Sequence, residues 1–242
     1  MNENNPKLLT TDALVDFLKK ASQAYRSGAP IIDDDTYDHQ YLAELKKREP
    51  SHPFLHEVEQ EPHLGEVRLK HPAPMLSTEK SYSVEETQRW VDRIKKEATK
   101  NNIDPHTITI IVTAKLDGLA AMRREDGLLA SRGDGIHGND ITSVFDKGVV
   151  DAGKGISGVG ELVMETEYFD KHIKKLGYSH PRNICVGVVN SDEVNKDFIQ
   201  ALKEKVVRFV PYTSLDRWEG SFSELIEQHE RVQDQIIKDC VY

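Results

Sequence analysis

The chain has 242 residues, 38% hydrophobic and 30% charged, enough to bury one large core or two small ones. Its 41 acids against 32 lysines and arginines give a net charge of −9, a poor match for a chain that grips a phosphate backbone by itself. The two cysteines, Cys185 and Cys240, exclude a four-cysteine zinc site, and no apolar run is long enough for a membrane span.

In chain order, Leu14, Phe17, Leu18, Ala21 and Tyr25 recur at helical spacing, with Thr10 or Thr11 as cap and Gly28 and Pro30 as the stop. A second helix is predicted from Asp34 to Glu49, with Tyr37, Tyr41, Leu42 and Leu45 on one face and Pro50 after it. The two make a hairpin. Asp33-Asp34-Asp35 between them suits an acidic N-cap, and the segment lacks the glycine and terminal glutamate of a calcium loop. Residues 52–68 are polar, with Pro53, Pro62 and Gly65, and read as a linker.

The segment Lys70-His71-Pro72-Ala73-Pro74-Met75-Leu76-Ser77-Thr78 is extended by its prolines. Ser83-Val84-Glu85-Glu86 forms a capping box, opening a helix to about Lys100 with Val84, Val91 and Ile94 inward. The β-branched run from Ile108 reads as a buried strand ending at Lys115, where Asp117-Gly118 turns the chain. A lysine on a rigid strand end is placed to act as a nucleophile if desolvation or a nearby cation frees its lone pair. Asp126-Gly127 between apolar runs marks a β-hairpin. The hairpin delivers a glycine-rich loop, 132–142, whose Arg132 is suited to a phosphate.

Val159-Gly160-Glu161-Leu162-Val163-Met164 is a further strand, with Glu161 on the face opposite Leu162 and Met164. Helices are predicted from about Thr166 to Leu176 and around Glu193 to Lys203, with His180-Pro181-Arg182-Asn183 between them. Val206 to Tyr212 is a strand, and a capping box at Ser221–Glu224 starts a long polar helix.

These motifs, in this order and over nearly the whole chain, resemble the N-terminal half of the NAD-dependent DNA ligases. The hairpin with APIIDDDTYD resembles that family's small domain for the nicotinamide mononucleotide (NMN) half of NAD. HPAPMLST resembles its adenine-side segment, KLDG its adenylation motif, and SRGDGIHGNDIT the motif after it. VGELVM, PRN and RFVPY resemble the three that follow. The hairpin is the specific part, because ATP-using relatives share K-x-D-G without it. The resemblance implies an α+β fold. A helical NMN-binding hairpin and linker (1–66) would precede an incomplete nucleotidyltransferase domain (67–242), ATP-grasp-like and built on antiparallel sheet.

The roles implied are as follows. Lys115 becomes adenylylated, with Leu116 beside it in the nucleotide site. Arg132 holds the phosphate or adenylate, Glu161 the ribose, and Ser77 and Thr78 the adenine side. Arg182 lies near the leaving half. Tyr25 and Tyr37 pack on nicotinamide, while Asp34 and Asp38 hydrogen-bond its amide and ribose. NAD and Mg²⁺ are the cofactors implied. The chain departs from the family at Thr113, Asn190 and Ala24-Tyr25, where a glutamate, a second arginine and a paired tyrosine are usual. It also stops at Tyr242, short of the family's later strands, OB-fold, zinc element and helix-hairpin-helix region. The expectation is therefore a cytoplasmic adenylation subunit of a split ligase, as in some large bacteriophages. A second polypeptide would carry the missing strands and engage nicked double-stranded DNA in replication or repair. The alternative is a truncated or degenerate homologue that binds NAD without ligation.

Overall fold

The computed structural model describes residues 5–26, 30–55, 67–76, 79–191, 194–238 and 240–242. Helix α1 (Thr11–Arg26) starts where the Thr10 hydroxyl accepts from Ala13 N, at 3.3 Å. Helix α2 (Asp34–Thr36), a π-helical stretch (Tyr37–Leu42) and helix α3 (Ala43–Arg48) follow one another in helical backbone, as the apolar spacing predicts. Leu14, Leu18, Tyr41, Leu45 and Phe54 form their core, which is separate from the rest. Arg48 ties the hairpin to its own N-terminus through the carbonyls of Leu9 (2.6 Å) and Pro6 (2.9 Å).

Strand β1 (Arg68–Lys70), helix α4 (Val84–Lys100), strand β2 (Ile110–Thr113), the hairpin β3 (Leu119–Arg123) and β4 (Leu129–Ser131), then β5 (His137–Asn139), β6 (Val150–Asp151) and β7 (Gly158–Met164) come next. Helices α5 (Thr166–Tyr168), α6 (Pro181–Asn190) and α7 (Lys196–Lys203) lead to β8 (Val207–Pro211) and β9 (Arg217–Gly220). Helices α8 (Phe222–Glu227) and α9 (His229–Lys238) complete the order. The main sheet runs β4-β3-β7-β8-β6; β1 pairs with β5, and β2 with β9.

One face of the main sheet carries the large core. Leu119, Leu129, Leu162, Met164 and Phe209 pack there against Phe169, Ile184, Val188 and Phe198 from the helical side. The opposite face carries a smaller cluster, Leu116, Val163 and Val210, with Ala114, Leu215 and Tyr242 against it. Among the described residues no helix is long and apolar enough to cross a membrane.

The architecture is α+β, with several corrections to the sequence reading. The main sheet is not wholly antiparallel: β6 pairs parallel to β8 and, with only two residues, forms that edge. The strand before Lys115 is not buried. β2 belongs to a two-stranded ribbon and Ile111 is 56% exposed. Val91 and Ala98 of α4 are buried, but Val84 and Ile94 are exposed. The Ser83 box forms by half. Ser83 accepts from Glu86 N, while the Glu86 carboxylate accepts from Tyr82 N instead. The box at Ser221 and Glu224 is complete, but its helix breaks at Gln228, which leaves the helical region (φ −122°). Helix α7 starts later than predicted, at Lys196, because Asn195 caps it.

Candidate nucleotide-binding site

The site assembles on the face of the main sheet that carries Leu116. After β2 the chain alternates: Ala114 and Leu116 pack inward on Val163 and Val210, and Lys115 between them is exposed. Lys115 is therefore held by its neighbours rather than by burial of its own side chain. Gly118 then passes hard against β7. A Cβ there would stand 2.1 Å from the Leu162 carbonyl oxygen and 2.9 Å from Glu161 Cγ, so only glycine fits.

Arg132 and Glu161 flank Ala120 in one row. Arg132 N donates to the Ala120 carbonyl at 2.9 Å, continuing the pairing of Ala121 with Ser131, and Ala120 pairs directly with Glu161 across β3 and β7. Cross-strand partners share a face. With two strand spacings between them, the Arg132 and Glu161 backbones lie about 10 Å apart over a floor of one methyl group. Glu161 is only 6% exposed, and its Oε2 accepts from the Tyr212 hydroxyl. Tyr212 was part of the RFVPY motif but was not singled out in the sequence. Its role is visible only once β8 lies beside β7.

The predicted glycine loop is a tight turn rather than a flexible loop, and it leads into β5. The Asp134 carboxylate accepts from His137 N (2.6 Å) and Ile136 N (2.9 Å) and pairs with Arg68 (2.5 Å). Those bonds hold it at about 2, well below the usual carboxylate range. The buried His71 ring bonds the Arg132 carbonyl through Nε2, at 3.0 Å, and Met75 N donates to Gly135 O at 2.7 Å. The HPAPM segment therefore lies along the Arg132 turn. Ser77 and Thr78, the adenine-side residues predicted just beyond it, lie outside the described residues.

Pro181 sits at the first turn of α6 and Arg182 directly after it. Arg182 Nη1 donates to the Gly118 carbonyl at 2.5 Å, and its guanidinium carbon is 5.4 Å from the Tyr25 ring centroid. This arginine joins the lysine turn to the helical hairpin. Cys185, one turn along α6, is fully buried. Burial first, then the Glu161 charge, pushes its thiol far above the usual range, so it is no nucleophile.

On the hairpin side, Asp33 is the N-cap, accepting from Thr36 N at 2.8 Å, and Asp34 is exposed at the first turn. Tyr37 is partly buried against the hairpin's own core. Asp38 is gripped by Lys80 and Tyr82, two residues the sequence reading did not single out. Among the described residues, no three His, Cys, Asp or Glu side chains gather to hold a metal ion.

Arg132 and Glu161 over the small Ala120, on the face of the sheet that carries Leu116, make a candidate site for a nucleotide. Comparison places the chain more narrowly. Residues 66–190 match the NAD-dependent DNA ligase adenylation domain, and the chain belongs to that family. It is 42% identical to a DNA ligase of Desulfatibacillum aliphaticivorans, over 96% of this chain and 36% of that protein. It is 36% identical to DNA ligases of Vesicomyosocius okutanii (96% of this chain, 38% of that protein) and Shewanella baltica (97% and 36%). The chain spans a little over a third of the length of these relatives.

Proposed function

We propose that this chain performs the adenylation half of NAD-dependent DNA ligation. Lys115 Nζ, once deprotonated, attacks the α-phosphate of NAD. A phosphorus–nitrogen bond forms, the bond to the NMN oxygen breaks, and NMN leaves with that electron pair. AMP remains on Lys115 until an oxygen of the 5′-phosphate of a DNA nick attacks its phosphorus; the phosphorus–nitrogen bond then breaks and frees the lysine amine, and attack of a DNA 3′-hydroxyl on the 5′-phosphate would join the strands and expel AMP.

The observation that carries this reading is the row Arg132–Ala120–Glu161 on the same face of the sheet as the Leu116 cluster. In this reading Arg132 takes the phosphate charge and Glu161 the ribose hydroxyls. The methyl of Ala120 leaves room for the sugar between them. Arg182 stands at the leaving half, with Tyr25, Tyr37, Asp34 and Asp38 on the nicotinamide side and Ser77 and Thr78 on the adenine side. In-line attack on phosphorus depends on positioning and charge stabilisation more than on acid–base groups, and this donor set supplies both. Magnesium would supply additional charge neutralisation.

Nick sealing needs protein segments beyond these 242 residues. We infer that a second polypeptide supplies them together with a basic DNA-binding surface; a longer chain would supply the same parts. The net charge of −9 supports a separate source of DNA affinity. The test offers the chain adenylyl-labelled NAD or adenylyl-labelled ATP, each with magnesium. Slow labelling of the protein from NAD but not ATP is expected. Labelling from ATP alone would move the chain to the ATP-using relatives.

A further inference from the structure

The turn that carries Arg132 is braced by the segment 70–75. His71 N donates to the Ile136 carbonyl at 2.9 Å and Met75 N to the Gly135 carbonyl at 2.7 Å, with Pro72 and Pro74 keeping the chain extended between them. The His71 ring, 5% exposed, bonds the Arg132 carbonyl through Nε2 at 3.0 Å. That carbonyl also accepts from Gly135 N at 3.0 Å, so both its lone pairs are used. A carbonyl only accepts, so Nε2 carries the ring proton. Nδ1 is buried without a partner among the described residues, which leaves the bond to Arg132 as the ring's one hydrogen bond there. Gly138 closes on the ring. A Cβ at that position would stand 1.7 Å from the Ser131 carbonyl oxygen and 3.0 Å from His71 Cε1.

We propose that His71 is a positioning residue for transfer of the adenylyl group: by fixing the Arg132 carbonyl it sets where the Arg132 guanidinium meets the phosphate. Arg132 N is committed as well, to the Ala120 carbonyl at 2.9 Å, so the backbone is anchored on both sides of the arginine Cα. A small tilt of that backbone moves the far end of a long side chain by more than the tilt itself. The one donor of the His71 ring is spent on backbone, so His71 acts through Arg132. The contact stands on the geometry above; its effect on phosphate chemistry rests on the function proposed here.

Three variants separate a donor at Nε2 from mere filling of the space. His71→Leu fills much of the volume without a donor. His71→Gln puts an amide donor near the Nε2 position, and the amide of His71→Asn is too short to reach. With adenylyl-labelled NAD at saturation, the labelling rate should fall about tenfold in His71→Leu and His71→Asn, with little change in the NAD concentration for half-maximal rate. His71→Gln should recover most of the rate. Ile173→Val, a core change remote from the site, should lower stability and leave the rate unchanged. Equal rates in His71→Leu and His71→Gln would overturn the proposal, as would a loss in Ile173→Val as large as that in His71→Leu. A second arm needs no activity. Amide exchange at Gly135, followed by nuclear magnetic resonance, should quicken in His71→Leu and stay slow in His71→Gln. If the chain takes no label from NAD even with His71 intact, the proposed function fails, and exchange at Gly135 decides alone whether His71 holds the turn. Unchanged exchange in His71→Leu would overturn that hold.

Discussion

Arg132 and Glu161 face the same side of the sheet with only Ala120 between them. The gap is as much a part of the site as the two charged groups, since a larger side chain at Ala120 would fill it. Ala120→Leu should lower the rate of AMP transfer to the protein at least about a hundredfold, because misplacement at a reacting centre costs that much. The change adds apolar volume on a half-buried strand position, so the melting temperature should stay within a few degrees. Rate by gel label and melting by circular dichroism separate the two effects.

Tyr212 orients Glu161 by donating to its carboxylate. Tyr212→Phe removes that donor and leaves the ring in place, at a cost of about 1–3 kcal/mol to an acceptor that is nearly buried. The apparent affinity for NAD should fall by about one order of magnitude, as fluorescence titration would show. Unchanged affinity would place the ribose elsewhere.

Gly118→Ala tests the close approach of the lysine turn to β7. Its Cβ would meet the Leu162 carbonyl at 2.1 Å, so backbone must move. Overpacking of this kind costs about 1–3 kcal/mol, measurable as a lower denaturation midpoint in urea. The Arg182 bond to the Gly118 carbonyl would shift with it, so labelling should fall as well.

Asp134 predicts an acid-range dependence. Its folded value of about 2 lies below the unfolded value of about 3.9. The stabilisation is therefore complete above about pH 4, declines as pH falls between the two values, and is gone below about 2. Asp134→Asn should be less stable at pH 7 and should show a flatter fall in stability between pH 4 and 2. Parallel curves for the two proteins would contradict this.

Much of this was legible in the sequence because local chemistry decides it. Asp126-Gly127 turns the β3–β4 hairpin, with Gly127 at φ +87°, and the Ser221–Glu224 box forms as its spacing predicts. The alternation in VGELVM places Glu161 on the face opposite the main core. What was hidden depends on neighbours. Three-residue strands such as β1 and β5 carry no period of their own and exist only because they pair with each other. The apolar spacing of α4 shows a face but not what covers it, and Val84 and Ile94 on that face are exposed. The partners of Asp38 lie 42 and 44 residues away, beyond the reach of any local pattern.

The central claim is that Lys115 is the nucleophile. The most direct measurement is peptide mapping by mass spectrometry after incubating the chain with NAD and magnesium, beside Lys115→Ala. The account predicts one AMP on the peptide containing Lys115 and none on the variant. Because the side chain is exposed, the variant should keep its melting temperature within about a degree. An AMP adduct on another residue, or equal labelling of Lys115→Ala, would contradict the assignment.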